Sequence, residues 1–291
     1  MNNKDNLQKF IFENASVRGE LVRIDQGFQQ IMQQHNYPPA IRQLLGEALV
    51  AANLLSSIIK FEGRLTVQFQ GKGKLKLLLA QCNHELQFRG LAQWTGEPDL
   101  AELTDALQNG TLAIMIDPIS TGKQRYQGIV SWQGDSLARS IEGYFKDSEQ
   151  LPTRLWIEVS ESSAVGLLLQ ILPKDASANQ TDDWEHITQL TDTLKPEELL
   201  HLDNATLLHR LYHQEKVRVF DPAPVEFRCT CSAEKSENAL LLLGKEEVDE
   251  ELRDKQQILV TCEFCNRQFT FDRVDIAKIF IRGNDASTQV H

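Results

Sequence analysis

The sequence predicts an α+β fold: a large N-terminal domain of mixed sheet and helix, a helical linker, and a small C-terminal domain built around paired cysteines. Three observations predict it. Segments with two-residue apolar alternation are interleaved with segments of helical period, without the regular β–α alternation of a parallel sheet. A charged, helix-like stretch follows a polar, Pro-containing tract at 173–183. Four of the five cysteines fall in the last quarter of the chain. The boundaries are placed at 1–175, 176–224 and 225–291.

Residues 7–24 (LQKFIFENASVRGELVRI) are rich in apolar and β-branched residues broken by Asn14 and Gly19, which predicts two short strands. DQGFQQIMQQHN has helical spacing. Pro38 and Pro39 open a long amphipathic helix that runs to Ile59, with proline in the first turn where a missing N–H costs little. From Arg64 the period changes to two. RLTVQFQ, KLKLLLAQ and ELQFRGLA alternate and are separated by GKGK and CNHE turns, the pattern of a β-meander. A helix at 99–108, strands LAIMID and RYQGIVSW, a helix SLARSIEGYFKDSEQ, and strands TRLWIEVS and VGLLLQILP complete the first domain near Pro173. Residues 184–215 read as helices with Asn204 as an N-cap; their apolar face is thin for their charge, so they need a neighbour to pack on.

The chain has 291 residues and a formal net charge of −11. An acidic surface repels phosphate backbones and anionic lipid, which argues against nucleic-acid and membrane binding. The N-terminus lacks the apolar core of a signal peptide. The greasiest stretch, LLGEALVAANLLSSIIKF, carries Gly46, Glu47, Asn53 and two serines and reads as a buried helix. A reducing cytosol is therefore expected, where paired cysteines mean metal or redox chemistry.

Cys229 and Cys231 form a CxC pair, and Cys262 and Cys265 a CxxC pair about thirty residues later. Four thiolates suffice for a tetrahedral site, and one Zn²⁺ suits them best; an iron–sulfur cluster is the weaker alternative. CEFCN followed by RQFTF reads as a knuckle entering a strand, whereas a thioredoxin-type CxxC would open a helix. A purely structural zinc ribbon is the plain reading. Three points favour a switch. Metal-bound thiols are thiolates, the form that oxidants attack. A unit of roughly 60 residues is marginal without a staple, and structural zinc contributes roughly 10–16 kcal/mol in finger peptides. A disulfide within either pair closes a tiny loop and cannot replace a metal that ties the pairs together, and a CxC disulfide would be strained and readily reduced.

The order CxC, about thirty residues, CxxC resembles the redox-regulated 33-kilodalton heat-shock chaperones (heat-shock protein 33). FENASVRGELV, RYQGIV, EGYFKDSEQLPTRL, LLLQILP and LYHQEKVRVFDPAPVEFRCTCS are similar to segments of that family, so the likeness runs nearly end to end. Family members can carry a further cysteine after the CxC pair; here position 236 is Ser, which removes none of the four thiolates. The resemblance implies a zinc-bound, quiescent monomer when reduced. Oxidation to Cys229–Cys231 and Cys262–Cys265 disulfides would expel zinc, unfold the C-terminal domain and linker, and give a dimer that holds unfolding client proteins without ATP. It implies a binding protein in the cytoplasm, not an enzyme, with no nucleotide.

Other features have plainer readings. His209 and His213 lie at i, i+4 in HRLYH without an HExxH glutamate and read as a helix face. Cys82 and His84 invite a nucleophile reading, but no orienting partner is identifiable and a strand-end thiol fits better. STGKQR has Asp117 where a phosphate loop needs glycine, and QGKGK reads as a hairpin turn. GKEEVDEEL reads as a solvated helix. Arg228, Lys235 and Arg267 flank the cysteines and can offset a doubly negative centre or be ordinary surface charge. The rival functions are a nucleic-acid-binding zinc ribbon, with Phe264, Phe269 and Phe271 to stack, and a dithiol–disulfide oxidoreductase.

Overall fold

A computed structural model of the chain describes residues 5–59, 61–120, 124–133, 136–172 and 180–288. Residues 173–179 of the expected boundary tract and 121–123 of STGKQR lie outside the described residues. The chain forms two compact units, Met1–Arg228 and Cys229–His291.

The larger unit opens with strands β1 (Asn6–Phe12) and β2 (Val17–Ile24), helices α1 (Gln26–Met32) and α2 (Pro39–Ile58), and the meander β3 (Gly63–Gln70), β4 (Leu75–Asn83) and β5 (Gln87–Trp94). Next come α3 (Leu100–Gln108), β6 (Thr111–Pro118), β7 (Tyr126–Val130), α4 (Leu137–Asp147), β8 (Thr153–Val159) and β9 (Ala164–Ile171). Three helices follow: α5 (Gln180–Thr191), α6 (Pro196–His201) and α7 (Asn204–Tyr212). Short strands β10 (Val217–Val219), β11 (Ala223–Pro224) and β12 (Glu226–Phe227) end the unit.

The strands make two sheets. One runs β10-β1-β2-β9-β8, with β11 also on β1; the other runs β12-β5-β4-β3-β6-β7. All pairs are antiparallel except β12 with β5. Helix α2 packs against strands of both sheets, which is why it is apolar nearly all round and why Leu45, Leu49, Ala52 and Leu55 are fully buried. Sequence periodicity does not anticipate β10–β12, because two- and three-residue strands are too short to show it.

Strand β9 explains where the helical segment goes. AVGLLLQI is a continuous apolar run, which in an antiparallel sheet means that both faces are covered. Leu168 points into the core around α2, while Leu167 and Leu169 join Phe10, Phe12, Val17, Leu21 and Val165 on the opposite face. Ile187 of α5, Leu199 of α6, and Leu207, Leu208, Leu211 and Tyr212 of α7 pack on that face. The Tyr212 ring meets Phe12 edge-on at 5.0 Å, and its hydroxyl shares a 2.7 Å hydrogen bond with Thr191. The expected N-cap at Asn204 is corrected: Asp203 caps α7, accepting from the Thr206 N–H at 3.0 Å. Asn204 is already the first helical residue, and its amide instead bonds Asn6.

The smaller unit contains α8 (Ala233–Leu243), α9 (Lys245–Asp254), a hairpin of β13 (Gln257–Thr261) and β14 (Gln268–Asp272), and α10 (Arg273–Thr288). Among the described residues its buried core is small: Leu240, Val248, Leu252, Phe271, Ile276, Ile279 and Phe280. The charged run at 244–252 is indeed helical, as α9. Among the described residues of the whole chain, no helix is long and apolar enough to cross a membrane.

Candidate metal centre

The CxC pair lies in the segment that joins β12 to α8, and the CxxC pair in a hairpin turn. Cys229 follows β12, and Cys231 directly precedes Ser232, the N-cap of α8, whose side chain accepts from the Lys235 N–H. The Cys231 N–H points back at the Cys229 sulfur. The CxC pair occupies the short irregular segment between β12 and α8, with Ser232 still extended before the helix begins. The Lys235 ammonium donates to the Thr230 carbonyl, which pins the residue between the two cysteines.

The CxxC pair lies in the β13–β14 hairpin. The Asn266 N–H donates to the Cys262 carbonyl at 2.8 Å, and the Cys262 N–H to the Arg267 carbonyl at 2.9 Å. Asn266 has φ +53°, a left-handed conformation that asparagine tolerates better than other non-glycine residues. This is the expected knuckle. Cys262 and Cys265 do not open a helix, so the dipole activation of a dithiol oxidoreductase is missing.

The four sulfurs converge. Cys229 and Cys262 are 3.6 Å apart, Cys231 and Cys265 are 3.5 Å apart, and all four sulfurs lie within 4.8 Å of one another. A tetrahedral Zn–S₄ site with bonds of about 2.3 Å has sulfur–sulfur edges of about 3.8 Å. The donor set and its spacing therefore fit one zinc ion. A cluster whose cysteines bind separate irons needs wider spacing. All five cysteines are free thiols. The shortest sulfur contacts join the two pairs, as a tetrahedron of equal edges allows.

The thiols are not equivalent. Burial raises Cys229, but the Cys231 N–H and the surrounding thiols outweigh it and hold Cys229 below the usual thiol range. Burial raises Cys231, and it pushes Cys265 up to about 12, with the neighbouring thiols adding to the rise. A coordinated metal reverses such increases by deprotonating its thiols.

The remaining sequence features fall elsewhere. Cys82 is buried in β4, 3.4 Å from the Asn53 side-chain oxygen, and burial pushes its thiol up to about 12. His84 accepts from the Gly63 N–H, so the two make no nucleophile–base pair. QGKGK is the β3–β4 turn. The Arg228 N–H donates to the Phe88 carbonyl within the larger unit. Arg267 is exposed. Phe271 is buried and offers no face for base stacking, and Phe269 is partly buried against the small core. Asn266 and the Lys235–Thr230 clasp escaped the sequence reading. Ser232 ahead of AEKSENALLLL is the signal that marks the helix start.

Comparison with known proteins agrees with this architecture. The family model described as Hsp33 protein matches residues 5–272. The 33 kDa chaperonin of Azotobacter vinelandii is 46% identical over 294 residues, covering 99% of this chain and 98% of the relative. That of Nitrosococcus oceani is 45% identical over 280 residues, covering 96% of each. The crystal structure of the 33 kDa chaperonin (heat shock protein 33 homolog) of Thermotoga maritima superposes with a TM-score of 0.82 at 24% identity, covering 97% of this chain and 99% of that one, which shows a shared fold. With a family match spanning nearly the whole sequence and relatives of this identity at full length, the chain belongs to the Hsp33 chaperone family.

Proposed function

We propose that the protein is a redox-controlled holdase: quiescent while reduced, and after oxidation able to bind unfolding proteins without ATP. The observation that supports this most is the convergence of four thiols at zinc-ligand spacing in a unit whose buried core is only a handful of apolar residues. Cys229, Cys231, Cys262 and Cys265 would hold one Zn²⁺. When bound, the metal supplies a cross-link between two segments about thirty residues apart and keeps the sulfurs as thiolates.

Oxidation would join Cys229 to Cys231 and Cys262 to Cys265. Each disulfide forms one S–S bond from two thiolates, breaks their bonds to the metal, and gives up two electrons. One hydrogen peroxide takes the two electrons with two protons from solvent, breaks its O–O bond and leaves as two waters; hypochlorous acid takes them with one proton and leaves as chloride and water. Disulfide sulfurs carry no charge to ligate a cation. Bonds within a pair close loops too small to restrain the chain, so the two segments lose their tie. A core this small does not hold the unit together alone.

The three regions then have distinct roles: 1–175 as the stable body, 176–224 as the releasable segment, and 225–291 as the sensor. The chain runs from α7 through β10–β12 straight to Cys229, so disorder that begins at the cysteines can spread back along it. Release of α5–α7 would uncover the apolar face of Phe10, Phe12, Val17, Leu21, Val165, Leu167 and Leu169. Exposed apolar surface suits both self-association to a dimer and capture of many clients. We read the protein as a cytoplasmic binder, not an enzyme, that needs no nucleotide, nucleic acid or membrane.

Metal and thiol stoichiometry test the switch. The reduced protein should carry one zinc per chain. Peroxide with mild heat should remove that zinc together with all four thiols, and mass spectrometry should find Cys229–Cys231 and Cys262–Cys265. Zinc retained after the four thiols have been consumed would defeat the reading.

A further inference from the structure

The histidine pair of α7 is not used by the mechanism above. His209 and His213 are both exposed, on the side of α7 away from buried Leu207, Leu208, Leu211 and Tyr212. Their ring centroids are 5.8 Å apart. His213 is the C-cap residue but retains helical backbone angles, φ −59° and ψ −19°, so the i, i+4 relation holds to the end of the helix. Among the described residues neither ring has a polar partner other than the other ring. The neighbouring cation, Arg210, is neutralised by Glu198 at 2.7 Å. His186, the other imidazole of this region, is taken by Glu215 at 2.9 Å.

We propose that His209 and His213 form a two-imidazole chelating site for a borderline divalent transition-metal ion, of the Ni²⁺ or Zn²⁺ class, distinct from the cysteine centre. Imidazole nitrogens bind such ions at about 2.0–2.1 Å. Rings 5.8 Å apart reach a shared ion by side-chain rotation without moving the backbone. The chelate exists only while α7 is helical, since an unwound chain carries the two rings apart. An ion bound there therefore stabilises the folded segment and opposes its release by simple linkage. The site itself stands on this geometry; its role as a brake on activation rests on the redox-chaperone reading.

Nickel is the probe, because it favours imidazole and does not oxidise thiols as copper does. The full-length protein is kept reduced and zinc-loaded, and its zinc content is followed throughout. Hydrogen exchange of the peptide covering 204–213 is measured without nickel and with free Ni²⁺ at ten times its measured Kd. Linkage predicts that the open population, and with it the exchange rate, falls about elevenfold. His209→Gln and His213→Gln should each abolish that protection, while His186→Gln should keep it. No slowing in the wild type overturns the proposal. Equal slowing in His209→Gln and His213→Gln also overturns it, because the ion then acts elsewhere. The measurement needs no chaperone activity, so it fails or succeeds independently of the redox reading.

Discussion

At Glu20 the first sheet buries a carboxylate that is only 3% exposed. It pairs with the Lys9 ammonium at 3.6 Å and accepts from the Ser57 hydroxyl, yet burial outweighs both Lys9 and Arg18 and raises its pKa to about 7. The folded protein thus binds more protons than the unfolded chain between pH 4.5 and 7. The resulting stability is present in full below that window and is lost as pH rises through it, by on the order of 3 kcal/mol. Glu20→Gln should raise the thermal midpoint of the larger unit at pH 8 and flatten its decline between pH 5 and 8; an unchanged slope would remove this assignment. In the smaller unit, Asn266→Ala should weaken metal retention against a chelator through strain of about 1 kcal/mol, whereas Asn266→Gly should not. That the four thiols come together was legible from their pairing and spacing, since donor type and separation are what a tetrahedral thiolate set requires. Glu20 was not legible. GELV alternates like a half-exposed strand, and nothing local says that both faces of the sheet are covered.

Helices α5–α7 are held to the sheet by an apolar face and by a few polar clasps. The Arg23 guanidinium donates to the carbonyls of Leu200, Leu199 and Leu202 at 2.6, 2.9 and 3.0 Å, tying the C-terminal end of α6 to β2. Arg154 bonds Asp192 at the end of α5 at 2.9 Å. Arg23→Ala leaves several α6 carbonyls without a donor and should cost on the order of 2 kcal/mol. Under the proposed function, reduced, zinc-loaded Arg23→Ala should then show partial client binding and the wild type none; a fully silent variant would mean that release of this segment does not limit activity. Asp203→Ala should act in the same direction through loss of the α7 cap, by about 1 kcal/mol. The helices of 184–215 and their need for a packing partner were readable from thin amphipathicity. Helix α8 was not. Its LLLL run has no helical period, and Leu242 and Leu243 remain 89% and 52% exposed while only Leu240 is buried among them. Residue 203 took the capping role expected of 204 because both are capping types and only the backbone decides between neighbours.

Across the molecule, stability is unevenly shared. The larger unit has two sheets around a buried helix; the smaller has a thin core beside four thiols. Metal removal from the reduced protein by a strong chelator should therefore melt Cys229–His291 and leave the cooperative unfolding of the larger unit in place. Near-native hydrogen exchange throughout the smaller unit after zinc loss would show that its core suffices alone. The α+β class was legible because period-two and period-3.6 segments are mixed but not alternating. The paths of β10–β12 were not, since tertiary pairing rather than local pattern forms them. Under the proposed function, oxidation of the cysteine centre turns a silent protein into a holdase. This conversion is tested most directly by light scattering from a heat-unfolding client enzyme, mixed with reduced zinc-loaded protein or with protein oxidised by peroxide and mild heat. Aggregation should be suppressed by the oxidised sample only, while equal suppression by both samples, or none by either, would rule out the redox-controlled holdase.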